Sequence, residues 1–356
     1  MDLHIELLGM RFENPLLPAS GPLVDSLRNL EYFNQHQVGG IVTKTISVHG
    51  AQVAKPCIVG TRHMVYNTEL WSELDHEIWC EEILPKIKPQ LKKPMIISVG
   101  YSSEELSQLV PKLNEFADFY EVSTHYNRDA LKSLVTMICS KTEKPVFIKL
   151  SPHVEDYLGF VEDAVSCGAS GVVAINSLGP GTSVDLRNRA VTIGVDGGKS
   201  WVSGPAFKPI ALNRVLNIRR AFPTLPIIAC GGVETAEDVL EFMLAGADLV
   251  QMLSTALING RGSYDKIVET LPTVLMHYGF ESMEEVRQTE LSIEVQGKGL
   301  YPEIDAVLCT LCGRCVEVCP EMALSKSKTI VVDQNRCMRC GLCQSRCPVT
   351  AISGLL

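Results

Sequence analysis

The sequence has few aromatic residues and little positive charge. Its 356 residues contain 32 Lys and Arg against 41 Asp and Glu, a formal net charge of -9. This balance argues against nucleic acid or an anionic membrane surface as the main partner. Aromatic residues make up only 6%, yet hydrophobic residues reach 46%. The composition excludes collagen-like, coiled-coil and disordered chains and predicts a globular protein with a sizeable core.

Targeting and membrane segments are also lacking. Residues Met1 to Glu6 do not follow the basic-then-apolar pattern of a signal peptide. No apolar run approaches the roughly 18 residues of a membrane-spanning helix. We therefore expect a cytoplasmic protein. Because cytoplasmic cysteines rarely form a disulfide framework, the 13 Cys residues indicate metal or redox chemistry.

The cysteines divide the chain into two parts, since eight of the 13 lie within residues 309–347. They form two runs of the type C-x2-C-x2-C-x3-C-P, the pattern of bacterial two-cluster ferredoxins. In that pattern three close thiolates bind one [4Fe-4S] cluster and the fourth Cys of the run binds the other. A pair of structural zinc sites is the alternative, although zinc sites have a longer gap between their C-x2-C pairs. The expected cluster ligands are Cys309, Cys312, Cys315 and Cys347 for one cluster and Cys337, Cys340, Cys343 and Cys319 for the other.

Short apolar runs alternate with amphipathic helical stretches ahead of this region. The period predicts a (β/α)8 TIM barrel followed by a small two-[4Fe-4S] ferredoxin-like domain, with a doubly wound open sheet as the alternative. The expected boundaries are 1–285 for the barrel, 286–302 for a linker and 303–356 for the ferredoxin-like domain. The predicted strands are Leu16–Ser20, Gly40–Ile46, Met95–Val99, Phe119–Ser123, Val146–Leu150, Val172–Asn176, Ile227–Cys230 and Leu249–Leu253. The predicted helices include Glu104–Phe116, Tyr157–Cys167, Pro209–Ala221, Ala236–Ala245 and Tyr264–His277.

Phosphate binding is expected near the last two strands, because barrels place their chemistry at the carboxyl ends of strands. Gly231-Gly232 precedes a helix that begins near Thr235, and Ser254-Thr255 follows the eighth strand. Glycine leaves backbone N–H groups accessible to an anion. An ordinary Gly-Gly turn is the alternative interpretation.

The two parts of the chain favour a flavin as the group that connects them. Iron–sulfur clusters transfer single electrons, whereas organic substrates usually change by two, and a flavin converts between the two. Lys44 and Lys149 at strand ends, beside a phosphate site, suit flavin mononucleotide (FMN). Lys149 ends an apolar strand, where its charge needs an anionic partner or flavin N1; a lysine that extends over the barrel rim is the alternative. No G-x-G-x-x-G run opens a strand-helix unit, so no nicotinamide site is expected.

Short motifs, in order along nearly the whole chain, resemble those of the class 1 dihydroorotate dehydrogenases and, more closely, the flavin domain of dihydropyrimidine dehydrogenase. The motifs are Asn14-Pro15, Ala19-Ser20-Gly21, Thr43-Lys44-Thr45, Asn67-Thr68-Glu69-Leu70-Trp71-Ser72-Glu73, Lys149-Leu150-Ser151-Pro152, Asn176-Ser177, Val202-Ser203-Gly204 and Lys208-Pro209-Ile210-Ala211-Leu212. The resemblance implies FMN contacts from Ala19, Ser20, Gly21, Lys44, Thr45, Lys149, Asn176, Ser203, Gly204, Gly231, Gly232, Ser254 and Thr255. It implies substrate contacts from Asn67, Ser123, Asn176 and Ser177.

The sequence departs from the family after the fourth strand. The family carries Asn-Leu-Ser-Cys-Pro there, with the Cys as proton donor or acceptor, whereas this chain has Ser123-Thr124-His125-Tyr126-Asn127. We expect Tyr126, at the position of the Cys, to be the catalytic acid, or else its neighbour His125. A phenol is protonated at neutral pH and favours reduction over oxidation. The alternative is that Tyr126 packs on the barrel rim and His125 is solvated.

These features together predict an oxidoreductase that uses FMN and two [4Fe-4S] clusters to reduce a carbonyl-conjugated C=C bond of a pyrimidine-like or enone substrate. The alternatives are a dihydropyrimidine or dihydroorotate dehydrogenase with an altered acid, and an electron-transfer subunit of a larger flavoenzyme. The resemblance implies an electron-donor protein as partner, either a ferredoxin or an NAD(P)H-oxidising flavoprotein subunit, and a homodimer. Neither nucleic acid nor a membrane is expected as partner.

Overall fold

A computed structural model describes residues 1–124, 128–292 and 300–356, except for the side chains of Arg128 and Asp129. His125 and Tyr126, the predicted acids, lie outside the described residues. The chain divides into two compact units, Met1–Leu291 and Ser292–Leu356. The first contains the predicted strands and the second contains all eight clustered cysteines.

Eight parallel strands form the centre of the first unit, and nearly all of their residues are buried. They are β1 (Leu16–Pro18), β2 (Ile41–Val42), β3 (Met95–Val99), β4 (Phe119–Ser123), β5 (Val146–Lys149), β6 (Gly171–Ala174), β7 (Ile227–Cys230) and β8 (Leu249–Met252). Their order in the sheet is β1-β8-β7-β6-β5-β4-β3-β2. The N–H of Gly39, just before β2, donates to the carbonyl of Leu16 in β1 (2.9 Å), which brings the two ends of the sheet together. The predicted TIM barrel is confirmed, and the open sheet is wrong because the strand order never reverses.

Helices cover the outside of the barrel. They are α1 (Leu27–Gln35), α2 (Leu84–Ile87), α3 (Ser103–Leu113), α4 (Arg128–Cys139), α5 (Tyr157–Ser166), α6 (Lys208–Ala221), α7 (Ala236–Leu244) and α8 (Ser263–Tyr278), with further helical segments at Pro22–Val24, His76–Ile78, Trp79–Ile83, Lys88–Gln90, Pro205–Phe207, Ser254–Asn259 and Met283–Gln288. The side chains of Ser102 and Thr235 cap α3 and α7 by accepting from backbone N–H groups. No helix within the described residues is long and apolar enough to cross a membrane.

A second sheet is inserted between the barrel elements. Its four antiparallel strands are Leu178–Gly181, Ser200–Ser203, Val65–Asn67 and Ile58–Gly60, in that order. They come from the segments after β2 and after β6, and so carry Asn67 and Ser203 to one sheet. Two antiparallel pairs complete this unit, Ile5–Leu7 with Met10–Phe12 and Val184–Asp185 with Ala190–Val191.

The second unit, Ser292–Leu356, is small and is built from short strands and short helices. Two antiparallel strand pairs, Glu303–Ile304 with Ile352–Ser353 and Leu324–Lys326 with Ile330–Val332, lie beside two short helices, Arg314–Glu317 and Leu342–Ser345. Gly313 and Gly341 precede these helices with φ of 82° and 81°, a conformation that glycine adopts without strain. Among the described residues, the core of this unit contains Leu324, Ile330, Ile352 and Leu355 beside Cys315 and Cys343, with partly buried apolar side chains such as Ile304 and Val332 packed against them.

Candidate functional site

A cavity of about 320 Å³ lies at the carboxyl ends of the barrel strands. All eight strands, or the residues directly after them, contribute to its wall. The structure brings nearly every described residue of the predicted site to this one space: Ala19, Ser20, Gly21, Lys44, Thr45, Asn67, Ser123, Lys149, Asn176, Ser177, Ser203, Gly204, Gly231, Gly232 and Ser254. Thr255 is the exception, because it is buried behind the wall and its hydroxyl donates to the carbonyl of Val233 (2.5 Å).

Lys149 lies at the floor of the cavity and is only 5% exposed. Its Nζ donates to Glu121 Oε1 (3.0 Å) and to Gln251 Oε1 (3.1 Å), and neither partner is exposed at all. Burial by itself lowers the pKa of Lys149, but the Glu121 carboxylate raises it, and the pKa lies above its ordinary value. The alternative of a lysine extending over the barrel rim is therefore wrong.

The second lysine of the cavity, Lys44, is also paired with a carboxylate. Its Nζ lies 3.2 Å from Glu69 Oε2, and the two side chains are 9% and 16% exposed. Both residues line the cavity, as does Asn67, whose Nδ2 donates to the carbonyl of Trp201 (3.3 Å). Both lysines that line the cavity thus already have an acidic partner.

Hydroxyl groups form a connected network along the wall between β1 and β4. Thr45 Oγ1 is 3.1 Å from Ser20 Oγ and 3.0 Å from Ser98 Oγ. The Tyr101 phenol joins the network through hydrogen bonds to Ser123 and Thr45. Burial raises the pKa of Tyr101 above its usual value, so the phenol stays protonated.

The loop predicted to bind phosphate, Gly231-Gly232, has the positive-φ backbone conformation that favours glycine. Gly231 and Gly232 have φ of 131° and 79°, and a Cβ on Gly232 would lie 2.4 Å from the backbone N of Lys208. Among the described residues, no acceptor is bonded to the N–H of Gly231 or Gly232. Ser254 Oγ lies 2.7 Å from Ser203 Oγ beside this loop. Glycine N–H groups and hydroxyls are the donors that suit a phosphate.

Eight cysteines of the second unit line two separate cavities. One cavity is lined by Cys309, Cys312, Cys315 and Cys347, and the other by Cys319, Cys337, Cys340 and Cys343. This grouping is the crossed set expected from the sequence. No three His, Cys, Asp or Glu side chains of the described residues converge on a site for a single metal ion. The backbone N–H groups of Ala323 and Ala351 donate to the Sγ atoms of Cys319 and Cys347, both at 3.3 Å.

Sequence reasoning missed Glu121 and Tyr101 as residues of the site. Glu121 stands inside an apolar strand, and a charged residue at a fully buried strand position was the available signal. Tyr101 directly follows the Ser98-Val99-Gly100 strand end. Glu69 belongs to a motif that we had noted, but its pairing with Lys44 was not foreseen.

The barrel with its polar cavity and the cysteine-rich second unit are the features of an oxidoreductase with a 4Fe-4S domain. Residues 2–275 match the dihydroorotate dehydrogenase family, and residues 301–349 match the 4Fe-4S dicluster domain. The chain therefore belongs to the dihydroorotate dehydrogenase family, as the motifs indicated, and is an enzyme of the class that acts on CH–CH groups. Members of this family bind FMN.

Curated relatives cover most of the chain. The catalytic subunit of dihydroorotate dehydrogenase B (NAD(+)) from Geotalea uraniireducens is 30% identical over 302 residues, which is 80% of this chain and 97% of that protein. The protein of the same name from Pyrococcus abyssi is 30% identical over 299 residues, again 80% of this chain and 97% of that protein. Dihydroorotate dehydrogenase A (fumarate) from Limosilactobacillus reuteri is 30% identical over 305 residues, 80% of this chain and 96% of that protein.

Proposed function

We propose that this protein is an FMN- and iron–sulfur-dependent reductase of a carbonyl-conjugated C=C bond in an uncharged, pyrimidine-like or enone substrate. The observation that carries the proposal is the composition of the barrel cavity. It combines amide and hydroxyl groups with two lysines that are already neutralised by carboxylates. Amides and hydroxyls recognise carbonyl and N–H edges, whereas a substrate carboxylate needs an available cation.

The cavity residues fit an FMN. Two protons of the Lys149 ammonium are used by Glu121 and Gln251, and the third is left for the cavity that Lys149 lines. Gly231, Gly232 and Ser254 offer donors for the phosphate. When bound, FMN would supply hydride transfer and the exchange between one- and two-electron chemistry. The protein would orient it through Lys149 and the glycine loop.

Asn67, Asn176, Ser123 and Ser177 would hold the substrate. Asn67 and Asn176 come from different strands or loops and reach the same cavity, so their amides can address two edges of one planar molecule. A substrate carboxylate beside Lys44 would have to displace Glu69 or accept a like charge next to it. An uncharged substrate avoids both of these unfavourable contributions to its binding free energy.

Tyr126 is proposed as the proton donor, with His125 as the alternative. Ser123 and Thr124, which line the cavity, immediately precede them. Tyr126 follows Thr124 by two residues, a span of at most about 7 Å of extended chain. Protonation of the substrate carbon by a phenol fits a reduction, since a phenol is a ready acid and a poor base near neutral pH.

The cysteine module would pass electrons to the barrel through two [4Fe-4S] clusters. Support comes from the two cavities, each lined by one crossed set of four cysteines. We further propose a ferredoxin or an NAD(P)H-oxidising flavoprotein subunit as electron donor, a homodimeric assembly and a cytoplasmic location. The proposed division is a barrel at 1–285, a linker at 286–302 and a ferredoxin-like domain at 303–356.

The test is anaerobic reoxidation of the reduced holoprotein. Protein reconstituted with FMN, iron and sulfide is reduced, freed of excess reductant and mixed with uracil, thymine, cyclohexenone or orotate while the flavin absorbance is followed. Reoxidation by an uncharged acceptor, with orotate slow, is the expected result. Failure of every acceptor would contradict a reductase of this class.

Dihydroorotate dehydrogenation is the second candidate, and the relatives favour it. The Geotalea uraniireducens protein named above aligns over 97% of its length. If orotate reoxidises the flavin faster than the uncharged acceptors, and dihydroorotate reduces the oxidised protein, this candidate replaces the first.

A further inference from the structure

Three buried side chains form a closed triangle at the floor of the cavity. Lys149 at the end of β5, Glu121 in β4 and Gln251 in β8 are bonded to one another. The three distances are 3.0 Å for Lys149 Nζ to Glu121 Oε1, 3.1 Å for Lys149 Nζ to Gln251 Oε1 and 2.6 Å for Gln251 Nε2 to Glu121 Oε2. Glu121 and Gln251 are completely buried.

The bonding pattern fits an ammonium on Lys149 and a carboxylate on Glu121. An amide offers an acceptor on one side and donors on the other, and Gln251 turns its oxygen to the ammonium and its nitrogen to the carboxylate. Each carboxylate oxygen of Glu121 therefore accepts one bond, and the pair carries no net charge. Removal of only one partner would destabilise the site, because the charge of the other would remain buried and uncompensated.

This arrangement fixes both the position and the effective charge of the group that faces the cavity. Lys149 is the member of the triangle with an ammonium proton left for a ligand, and Glu121 sits directly behind it. An anion in the cavity would therefore experience the attraction of Lys149 reduced by the repulsion of Glu121.

We propose that Glu121 is a positioning residue that holds the Lys149 ammonium against the flavin and, by offsetting its charge, lowers the preference of the site for reduced over oxidised FMN. The inference rests on the proposed function, since it requires FMN in the barrel. Reduced FMN is the more negative form of the cofactor. The negative charge of Glu121 therefore weakens the binding of reduced FMN more than that of oxidised FMN.

A second buried ion pair, away from the cavity, provides a matched control for the loss of a buried carboxylate. Asp248 is also a buried carboxylate, 7% exposed, and it accepts from Arg219 (3.0 Å) and Arg287 (3.0 Å). It directly precedes β8, at the amino end of that strand, and does not line the cavity. Asp248→Asn therefore removes a comparable paired carboxylate at the opposite end of the barrel.

The experiment measures the ratio of the affinities for reduced and oxidised FMN, by titration of apoprotein and by the flavin midpoint potential against reference dyes. Glu121→Gln is expected to raise the ratio by about tenfold or more, which is about 30 mV for a two-electron couple. Glu121→Asp, which keeps the charge but withdraws it from Lys149, is expected to give a smaller shift in the same direction. Asp248→Asn is expected to leave the ratio unchanged.

A rescue variant separates charge from packing. Glu121→Gln combined with Gln251→Glu exchanges the two groups and keeps one carboxylate on Lys149, so the ratio is expected to return to that of the wild type. If Glu121→Gln does not fold, the shift in Glu121→Asp decides the matter, with the double variant as the comparison that keeps a carboxylate on Lys149. An unchanged ratio in the single variants Glu121→Gln and Glu121→Asp, or an equal shift in Asp248→Asn, overturns the inference while flavin-loaded wild-type protein still supports the proposed function. Wild-type protein that binds no FMN contradicts both.

Discussion

Replacement of Glu69 by Gln should convert the cavity into one that binds an anionic pyrimidine. In the wild type the Lys44 ammonium is bonded to Glu69 at 3.2 Å, and both side chains are largely buried. The substitution keeps the size of residue 69 but removes its charge, so Lys44 becomes available to a carboxylate. A hydrogen bond to a charged group contributes about 1.5–3 kcal/mol. Because about 1.4 kcal/mol corresponds to a tenfold change, orotate should bind about 10- to 100-fold more tightly to Glu69→Gln.

The assay is equilibrium binding of orotate to the FMN-loaded, oxidised protein, followed by the perturbation of the flavin spectrum, with uracil as the uncharged comparison. Glu73→Gln is the matched control, because Glu73 lies in the same segment and pairs with Lys55 at 2.5 Å outside the cavity lining. The variant Glu69→Gln should gain affinity for orotate but not for uracil, and Glu73→Gln should gain neither.

Two outcomes would refute this reasoning. If wild-type protein binds orotate as tightly as Glu69→Gln does, Glu69 does not reduce the affinity of the Lys44 site for an anionic ligand. An equal gain for uracil would mean that the substitution opened space in the cavity and that charge played no part.

Four further predictions concern the cofactors and the acid. Anaerobically prepared protein should contain about eight iron atoms and one FMN per chain, and zinc in place of iron would refute the cluster assignment. Lys149→Ala should lose or loosen FMN and lower the flavin potential, since the ammonium offsets the negative charge of reduced FMN; unchanged content and potential would remove Lys149 from the flavin site. NADPH and NADH should not reduce the flavin of the pure chain at a useful rate, which anaerobic mixing tests directly. Tyr126→Phe should slow flavin reoxidation by substrate about 100-fold while reduction through the clusters stays normal; normal turnover in Tyr126→Phe but not in His125→Ala would identify His125 as the donor.

Elements with strong local patterns were predicted well, although the ends of several differ from the observed bounds. The predicted strands Met95–Val99, Phe119–Ser123 and Ile227–Cys230 agree with the observed bounds, because buried parallel strands read as continuous apolar runs. The run Gly40–Ile46 yields only Ile41–Val42, because the N–H of Lys44 donates to the carbonyl of Val24 (2.9 Å) and Ile46 rejoins the sheet only through an isolated bridge to Val99. The strands Leu178–Gly181 and Ser200–Ser203 were missed, because glycine and polar residues give them no alternating pattern.

The sequence by itself determined the features that depend on residues close together along the chain. The spacing of eight cysteines grouped them into two crossed sets, and the alternation of apolar runs predicted the barrel and the strand ends around its cavity. Only the tertiary structure decided how the charges of that cavity are paired. Lys149 lies 28 residues from Glu121 and 102 from Gln251, and Lys44 lies 25 from Glu69. These groups meet because closure of the barrel brings the ends of distant strands to one edge, and no local pattern specifies which charge will stand opposite which.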